Sequence, residues 1–277
     1  MMELKLKVSV PVRIVVISDL HVGHKGFKEE VLNGILNELE DPNTYFVLAG
    51  DLVEGREPSH KFYNSEENGL DVGMQYAYVF NKLRPYANKC LGCVIGNHEY
   101  ALVSKTTINP TQQFCTDNRI PYGGNCMRLI FTSAEPTVEN EGWEKEEIEE
   151  VEEEVSDFVP ERMSMIITHG AGGGKVGSAL NKAIDYGKSF NADMVVMGHF
   201  HRLAHAVEMK PTEDEEGFIR WKPMDIVLNG CAIDGYAGGT SSYAERMMLT
   251  PTILGYAVIT LDPTNGLTRY VQLKPFN

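Results

Sequence analysis

Five short apolar runs in this 277-residue chain each end on side chains that bind metal ions. RIVVIS (13–18) is followed by Asp19, Leu20 and His21. YFVLA (45–49) leads to Gly50 and Asp51, and LGCVI (91–95) to Gly96, Asn97, His98 and Glu99. MSMIIT (163–168) precedes His169 and Gly170, and ADMVVM (192–197) precedes Gly198, His199, Phe200 and His201. The carboxylates of Asp19 and Asp51, the amide of Asn97 and the imidazoles of His21, His169, His199 and His201 form a mixed oxygen and nitrogen donor set. Such a set suits divalent ions of intermediate hardness, such as Mn, Fe, Zn or Co. Seven donors are too many for one ion. Two ions about 3.5–4 Å apart can share a carboxylate, hold a hydroxide between them and clamp phosphoryl oxygens during in-line attack. His98, beside Asn97, would then be free to donate a proton to a leaving group or to stabilise transition-state charge.

The elements that must position these residues follow from the same pattern. Successive odd positions of an extended strand share a face, so Asp19 and His21 are expected to aim at one point. His199 and His201 are expected to do the same if the extended backbone persists. Asp51, Asn97 and His169 each stand just past a strand end, and strands lying side by side would bring these ends together. Helices are expected over about 27–40, 70–84 and 176–190, and further strands over 125–134 and 225–231. Hairpins are expected over 202–223, with an acidic tip, and over 253–273 around Pro263-Thr264-Asn265-Gly266. Strands alternate with helices in the first half, and hairpins dominate the second. With no internal repeat and no evident boundary, 1–277 reads as a single domain.

The ordered set DLH (19–21), GD (50–51), GNHE (96–99), HG (169–170) and GHFH (198–201) resembles the calcineurin-like metallophosphoesterase family. No single dipeptide is specific, but the five in this order are. The resemblance implies an α+β fold: a four-layer αββα sandwich of two mixed β-sheets flanked by helices, with a dinuclear site at one edge. Carried over by motif, Asp19, His21 and His201 would hold the first metal, Asn97, His169 and His199 the second, and Asp51 would bridge. His98 takes the proton-donor position. The cofactors implied are two divalent ions, manganese first, with Fe, Zn, Co, Ni or Mg as alternatives. The implied substrate is a phosphate ester.

One departure bears on substrate class. In the protein Ser/Thr phosphatase branch the second motif continues Asp-Arg-Gly, whereas here it reads GDLVEGR, with Glu54 in place of the Asp and Arg56 one position late. DLHVGH (19–24) is similar to the nuclease branch, which makes His24 a candidate substrate contact, and Arg56 is another candidate. Phosphodiester hydrolysis, of nucleic acid or a nucleotide, is therefore the first expectation. Phosphomonoester hydrolysis is the alternative, and a non-catalytic scaffold of the same fold a minor one. IPYGG (120–124), HGAGGGKVGSALNK (169–182) and YAERMMLTPTILG (243–255) are also similar to metallophosphoesterases of phage and prophage genomes.

Several other stretches resolve on spacing. GAGGGK (170–175) fails the nucleotide P-loop pattern, because position 169 is His and 176 is Val. Gly172 and Gly173 can instead let backbone amides approach a substrate phosphate. CLGC (90–93) has no second CxxC, and residues i and i+3 of a strand are expected on opposite faces, so buried free thiols are expected. His60 and His205 read as structural or exposed, and Lys175, Tyr243 and Arg246 as surface residues, with contact to an anionic substrate as the alternative.

Net charge is −14, from 25 Lys and Arg against 39 Asp and Glu. Residues 135–157 account for most of it, with eleven Glu and Asp157 against the single Lys145. Within 139–158, Ile148, Val151, Val155 and Phe158 form one helical stripe, so an acidic amphipathic helix is expected there. The rest of the chain is nearly neutral and compatible with an anionic substrate, although it lacks the Lys/Arg content of a duplex-gripping surface. No apolar run is long enough to span a bilayer, and the first thirteen residues do not look like a signal peptide. Five cysteines fit a reducing compartment, so a cytoplasmic location without membrane association is expected. Oligomeric state is not encoded in any of these features.

Overall fold

The computed structural model describes residues 1–277 except 57, 60–62, 64–68, 135–160, 174–175, 215, 238–242, 265 and 277. The acidic helix expected over 139–158 lies outside the described residues. In chain order the elements are β1 (Met2–Val8), β2 (Val12–Ile17), α1 (Glu29–Leu39), β3 (Thr44–Ala49), α2 (Val72–Leu83), β4 (Cys90–Val94), α3 (Asn97–Thr106), α4 (Pro110–Asp117) and β5 (Cys126–Ser133). They continue with β6 (Arg162–Thr168), α5 (Val176–Ser189), β7 (Met194–Met197), β8 (Ala204–Glu213), β9 (Ile219–Leu228), α6 (Tyr243–Arg246), β10 (Leu254–Asp262) and β11 (Thr268–Phe276). A short 3-10 turn, Arg84–Lys89, separates α2 from β4.

Two mixed sheets result, in the orders β1-β5-β6-β7-β9-β8 and β11-β10-β2-β3-β4. The strands β2, β3 and β4 run parallel, as do β6, β7 and β9. Parallel neighbours cannot be joined by a tight turn and need a crossover. Helix α1 supplies it between β2 and β3, α2 between β3 and β4, and α5 between β6 and β7. This connectivity sends the carboxyl ends of β2, β3, β4, β6 and β7 to one edge, where ligands bind in open α/β sheets.

Three apolar layers hold the arrangement. Between the sheets, Ile14, Val16, Val47 and Ile259 of one meet Leu129, Phe131, Met165 and Val196 of the other. On the outer face of the second sheet, α1 buries Val31, Leu32, Ile35 and Leu39 against Val15, Ile17, Phe46 and Leu48. On the outer face of the first, Ala179 and Ala183 of α5 meet Ile166, Val195 and Ile226. The result is the expected four-layer αββα sandwich. Helix starts are marked locally: the Asp71 carboxylate accepts the Met74 N–H at 2.9 Å, and the Asn109 amide oxygen accepts the Gln112 N–H at 3.0 Å. Among the described residues no helix is long and apolar enough to cross a membrane.

Two expectations need correction. Cys90 and Cys93 pack into the same helix-side layer rather than on opposite faces. The cause is a register slip: Phe46 lies opposite Cys90 but Val47 lies opposite Gly92, so β4 carries one extra residue that inverts the alternation. Helices α3 and α4 and strand β1 were not foreseen, and GNHE opens α3 instead of merely trailing β4. All five cysteines are free thiols, four of them buried.

Phe131 is fully buried in the inter-sheet layer. Phe131→Ala is expected to cost about 3–5 kcal/mol of stability, read from urea denaturation midpoints. A cost below ~1 kcal/mol would mean that the two sheets do not share this core.

Candidate metal centre

The seven donors predicted from the strand ends converge, but not by strand alternation. Asp19 (φ 52°), His21 (φ 49°), Asp51 (φ 52°), His199 (φ 70°) and His201 (φ 51°) are all left-handed. The extended geometry expected for the pairs Asp19/His21 and His199/His201 therefore stops at the strand ends. Left-handed residues there turn the chain sharply, and Asp and His are among the non-glycine residues that tolerate the region best. The turns remain bonded to one another: the Asp19 N–H donates to Gly50 O (3.0 Å) and the His21 N–H to Asp51 O (3.1 Å).

Gly96 lets the ends of β3 and β4 meet. A Cβ at this position would lie 2.1 Å from Asp51 Oδ1 and 2.2 Å from Asp51 N. Glu99, in the first turn of α3, reaches back from beneath and accepts the backbone N–H groups of Gly96 (3.1 Å), Asp51 (2.9 Å) and Leu52 (2.6 Å). Burial and the nearby Asp51 carboxylate push the Glu99 carboxyl up to about 7. Asp19 is anchored similarly, accepting from Ser18 Oγ (2.5 Å) and the His199 N–H (2.9 Å). Ser18 Oγ in turn accepts from Asn229 Nδ2 at 3.0 Å.

Three of the imidazoles are held through their outer nitrogens. His21 Nδ1 lies 3.1 Å from Glu54 Oε2, His169 Nδ1 lies 2.9 Å from Ala49 O, and His199 Nε2 lies 2.7 Å from Gly172 O. Donation through these atoms leaves lone pairs on the inner nitrogens. Those inner atoms face other acceptors. His21 Nε2 lies 3.0 Å from His201 Nε2, itself 3.4 Å from Asp19 Oδ1. Asn97 Oδ1 lies 3.0 Å from His169 Nε2 and 2.7 Å from His199 Nδ1. Groups crowded at these distances need a proton or a metal ion among them, and this donor set fits a divalent metal. Asp19, His21 and His201 form one group of donors within 4.8 Å of one another, and Asp51, His169 and His199 another.

Asp51 stands where the groups meet. Its Oδ1 accepts the His98 N–H at 2.9 Å, while Oδ2 lies 3.0 Å from His169 Nε2, 3.9 Å from His21 Nε2 and 4.0 Å from His98 Nε2. His98 Nδ1 donates to the Glu54 carbonyl at 2.6 Å, and its Nε2 lies 3.4 Å from Arg56 Nη2. Burial lowers the His98 imidazole below its ordinary value, with Asp51 pulling the other way. Arg56 Nε pairs with Glu54 Oε1 at 3.0 Å. Burial opposes the Glu54 charge, but His21, His98 and Arg56 bring its carboxyl down to about 2.

A cleft of about 630 Å³ opens over the cluster. His24, Arg56, Gly172 and Gly173 all line it. His24 Nδ1 accepts the Gly26 N–H at 2.9 Å, and Gly172 presents its carbonyl to His199. His205 lies apart, bonded through Nε2 to Asp225 at 2.7 Å. The supporting residues Ser18, Glu99, Asn229 and Cys231 were missed. Glu99 could have been found from its place inside GNHE. Cys231 sits against His201, whose imidazole is raised against burial by Cys231 and Asp19, and no local pattern marks it.

Without metal, protons act as the cations of this cluster. Burial disfavours a charged His169, but Asp51 beside it overcomes the penalty and raises the imidazole from 6.5 to about 10. A raised value means that protonated His169 stabilises the metal-free fold below pH 6.5, and that this contribution fades as pH rises toward 10. A divalent ion must displace that proton. Mn²⁺ affinity is expected to rise about tenfold per pH unit for each proton displaced between roughly pH 6 and 8. Calorimetry in buffers of different ionisation enthalpy measures the release, and pH-independent affinity without proton release would contradict it.

The sequence matches the calcineurin-like phosphoesterase family over residues 12–203. Among solved structures it is similar to vacuolar protein sorting 29 from Cryptosporidium parvum, at 14% identity and a TM-score of 0.42, covering 97% of this chain and 99% of that one. It is also similar to Vps29 complexed with zinc from Entamoeba histolytica (12%, TM-score 0.37, 96% and 100% covered). A third is the calcineurin-like phosphoesterase YfkN from Bacillus subtilis (12%, TM-score 0.37, 96% and 91% covered). Likenesses at this level carry no functional argument. Among curated proteins no match is found. The family match spans most of the chain and contains all seven donors and His98, and on that ground the chain belongs to the calcineurin-like phosphoesterase family.

Proposed function

We propose that this protein is a dinuclear metal-dependent phosphodiesterase. The observation that carries the reading is the pair of acceptor clusters meeting at Asp51 beneath an open cleft. Asp19, His21 and His201 would hold one ion, Asn97, His169 and His199 the other, and Asp51 would serve both. Manganese suits the mixture of carboxylate, amide and imidazole donors. When bound, the ions supply Lewis acidity, acidifying water and neutralising phosphoryl charge.

The chain's own groups do the rest. Asp51 is kept ionised: burial opposes its charge, but the adjacent His169 and His98 hold its carboxyl well below the ordinary carboxylate value. The Glu54 carbonyl fixes the ring of His98 and aims Nε2 at the cleft. An anionic phosphoryl group arriving there would favour the charged imidazole, offsetting the burial that disfavours it. His98 can then give its Nε2 proton to the departing oxygen. Arg56 stands beside it but is already neutralised by Glu54. That pairing suits a singly charged diester better than a doubly charged monoester, and nucleotide or nucleic-acid diesters are the substrates proposed.

The test is Mn²⁺-dependent hydrolysis of bis-p-nitrophenyl phosphate against p-nitrophenyl phosphate. Diester preference is expected, with turnover abolished in Asp51→Asn; monoester preference would hand the site to a phosphomonoesterase. Metal-dependent turnover of neither would favour a non-catalytic scaffold.

His98→Ala should slow hydrolysis by about 10²–10⁴-fold for an alkoxide leaving group, which needs a proton. The loss should be much smaller for p-nitrophenolate. Equal losses for the two leaving groups would remove His98 from the proton-donor role.

A further inference from the structure

The cleft over the donor cluster has a counterpart. A second one, of about 650 Å³, opens on the other side and is lined by Asn97, His169, Tyr100, Tyr186 and Lys182. Asn97 lines both clefts. The loop after β6 is the saddle between them: Gly170 and Ala171 face the second cleft, Gly172 and Gly173 the first. Lys182 of α5 props this saddle, donating through Nζ to Ala171 O at 3.1 Å, and lies 5.4 Å from the Phe200 ring centroid.

Each cleft also presents aromatic rings. Tyr100, 54% exposed, and Tyr186 line the second; Phe200 and Tyr236, 38% exposed, line the first. Among the described residues, the Lys and Arg side chains lining the two clefts are Arg56, Arg202 and Lys182. All three are engaged: Arg56 with Glu54, Arg202 with Thr250 Oγ1 at 2.6 Å, and Lys182 with the saddle carbonyls. Among the described residues the clefts therefore offer stacking faces rather than a cationic track for a long polyanion. Each lies within the size range of small-molecule sites, roughly 300–1,000 Å³.

A phosphomonoester has one esterified group and would leave one cleft to water. A phosphodiester has two, one for each side of its phosphorus. We propose, building on the diester reading above, that the clefts are paired subsites for the two nucleosides of one dinucleotide-sized phosphodiester. The phosphate lies over Asn97 and the donor cluster. One base stacks on the Tyr100 side, the other on the Tyr236 side.

The experiment uses the full-length Mn²⁺-loaded protein with a dinucleoside monophosphate and with methyl p-nitrophenyl phosphate, which has one small arm. The readout is the ratio of kcat/KM for the first substrate to that for the second. Tyr100→Ala and Tyr236→Ala are each expected to lower this ratio about tenfold, the scale of one lost base stack. Tyr100→Phe and Tyr236→Phe keep the ring and should keep the ratio, which separates stacking from the bond that Tyr236 Oη donates to Leu249 O. A ratio unchanged in both alanine variants, or lowered in only one, with diester hydrolysis intact, overturns the paired subsites and leaves the diester reading standing. Turnover of aryl monoesters without turnover of either diester removes both.

Discussion

Inner imidazole nitrogens, carboxylate oxygens and an amide oxygen face one another at about hydrogen-bond distance, so a proton or a metal ion must lie within each contact. His21 Nε2 against His201 Nε2, and Asn97 Oδ1 against both His169 and His199, are the clearest cases. Acceptors so arranged repel until a cation lies among them, and in a buried site the repulsion is poorly screened. The supporting structure forces this convergence. Parallel strands with crossover helices bring five chain ends to one edge, and the left-handed turns rotate the donors inward.

Holding that arrangement requires compensation. Residues kept in the left-handed region cost of order 1–3 kcal/mol each and persist only where their surroundings over-determine them. Here the surroundings are specific. Glu99 gathers four backbone N–H groups around Asp51, and the His199 N–H and Ser18 hydroxyl fix Asp19. Asn229 ties Ser18 to the neighbouring strand β10 by accepting the Ala257 N–H at 2.9 Å. The core of the sandwich stabilises the fold, while this polar layer specifies where the donors point.

The donors were legible in the sequence because apolar strands of ordinary length ended five times on metal-binding residue types, and because their order matches a family. The αββα architecture followed from that match, and alternating strands and helices in the first half agreed with it. Local geometry was less legible. Strand alternation anticipated that Asp19 and His21 lie together but not how, since both have positive φ and bond to Gly50 and Asp51, far away in the chain. The slip that puts Cys90 and Cys93 on one face depends on the partner strand, which no local pattern records. Glu99, Asn229 and Cys231 act through contacts made only after folding.

The most direct measurement is anomalous diffraction from Mn²⁺-loaded crystals of the wild type and of Asp51→Asn, with metal content counted in solution. Two manganese ions per chain, about 3.5–4 Å apart at the Asp51 edge, are expected in the wild type, with at least one lost or displaced in the variant. One ion or none at that edge in the wild type would contradict the claim that these converging acceptors are built for a pair of cations.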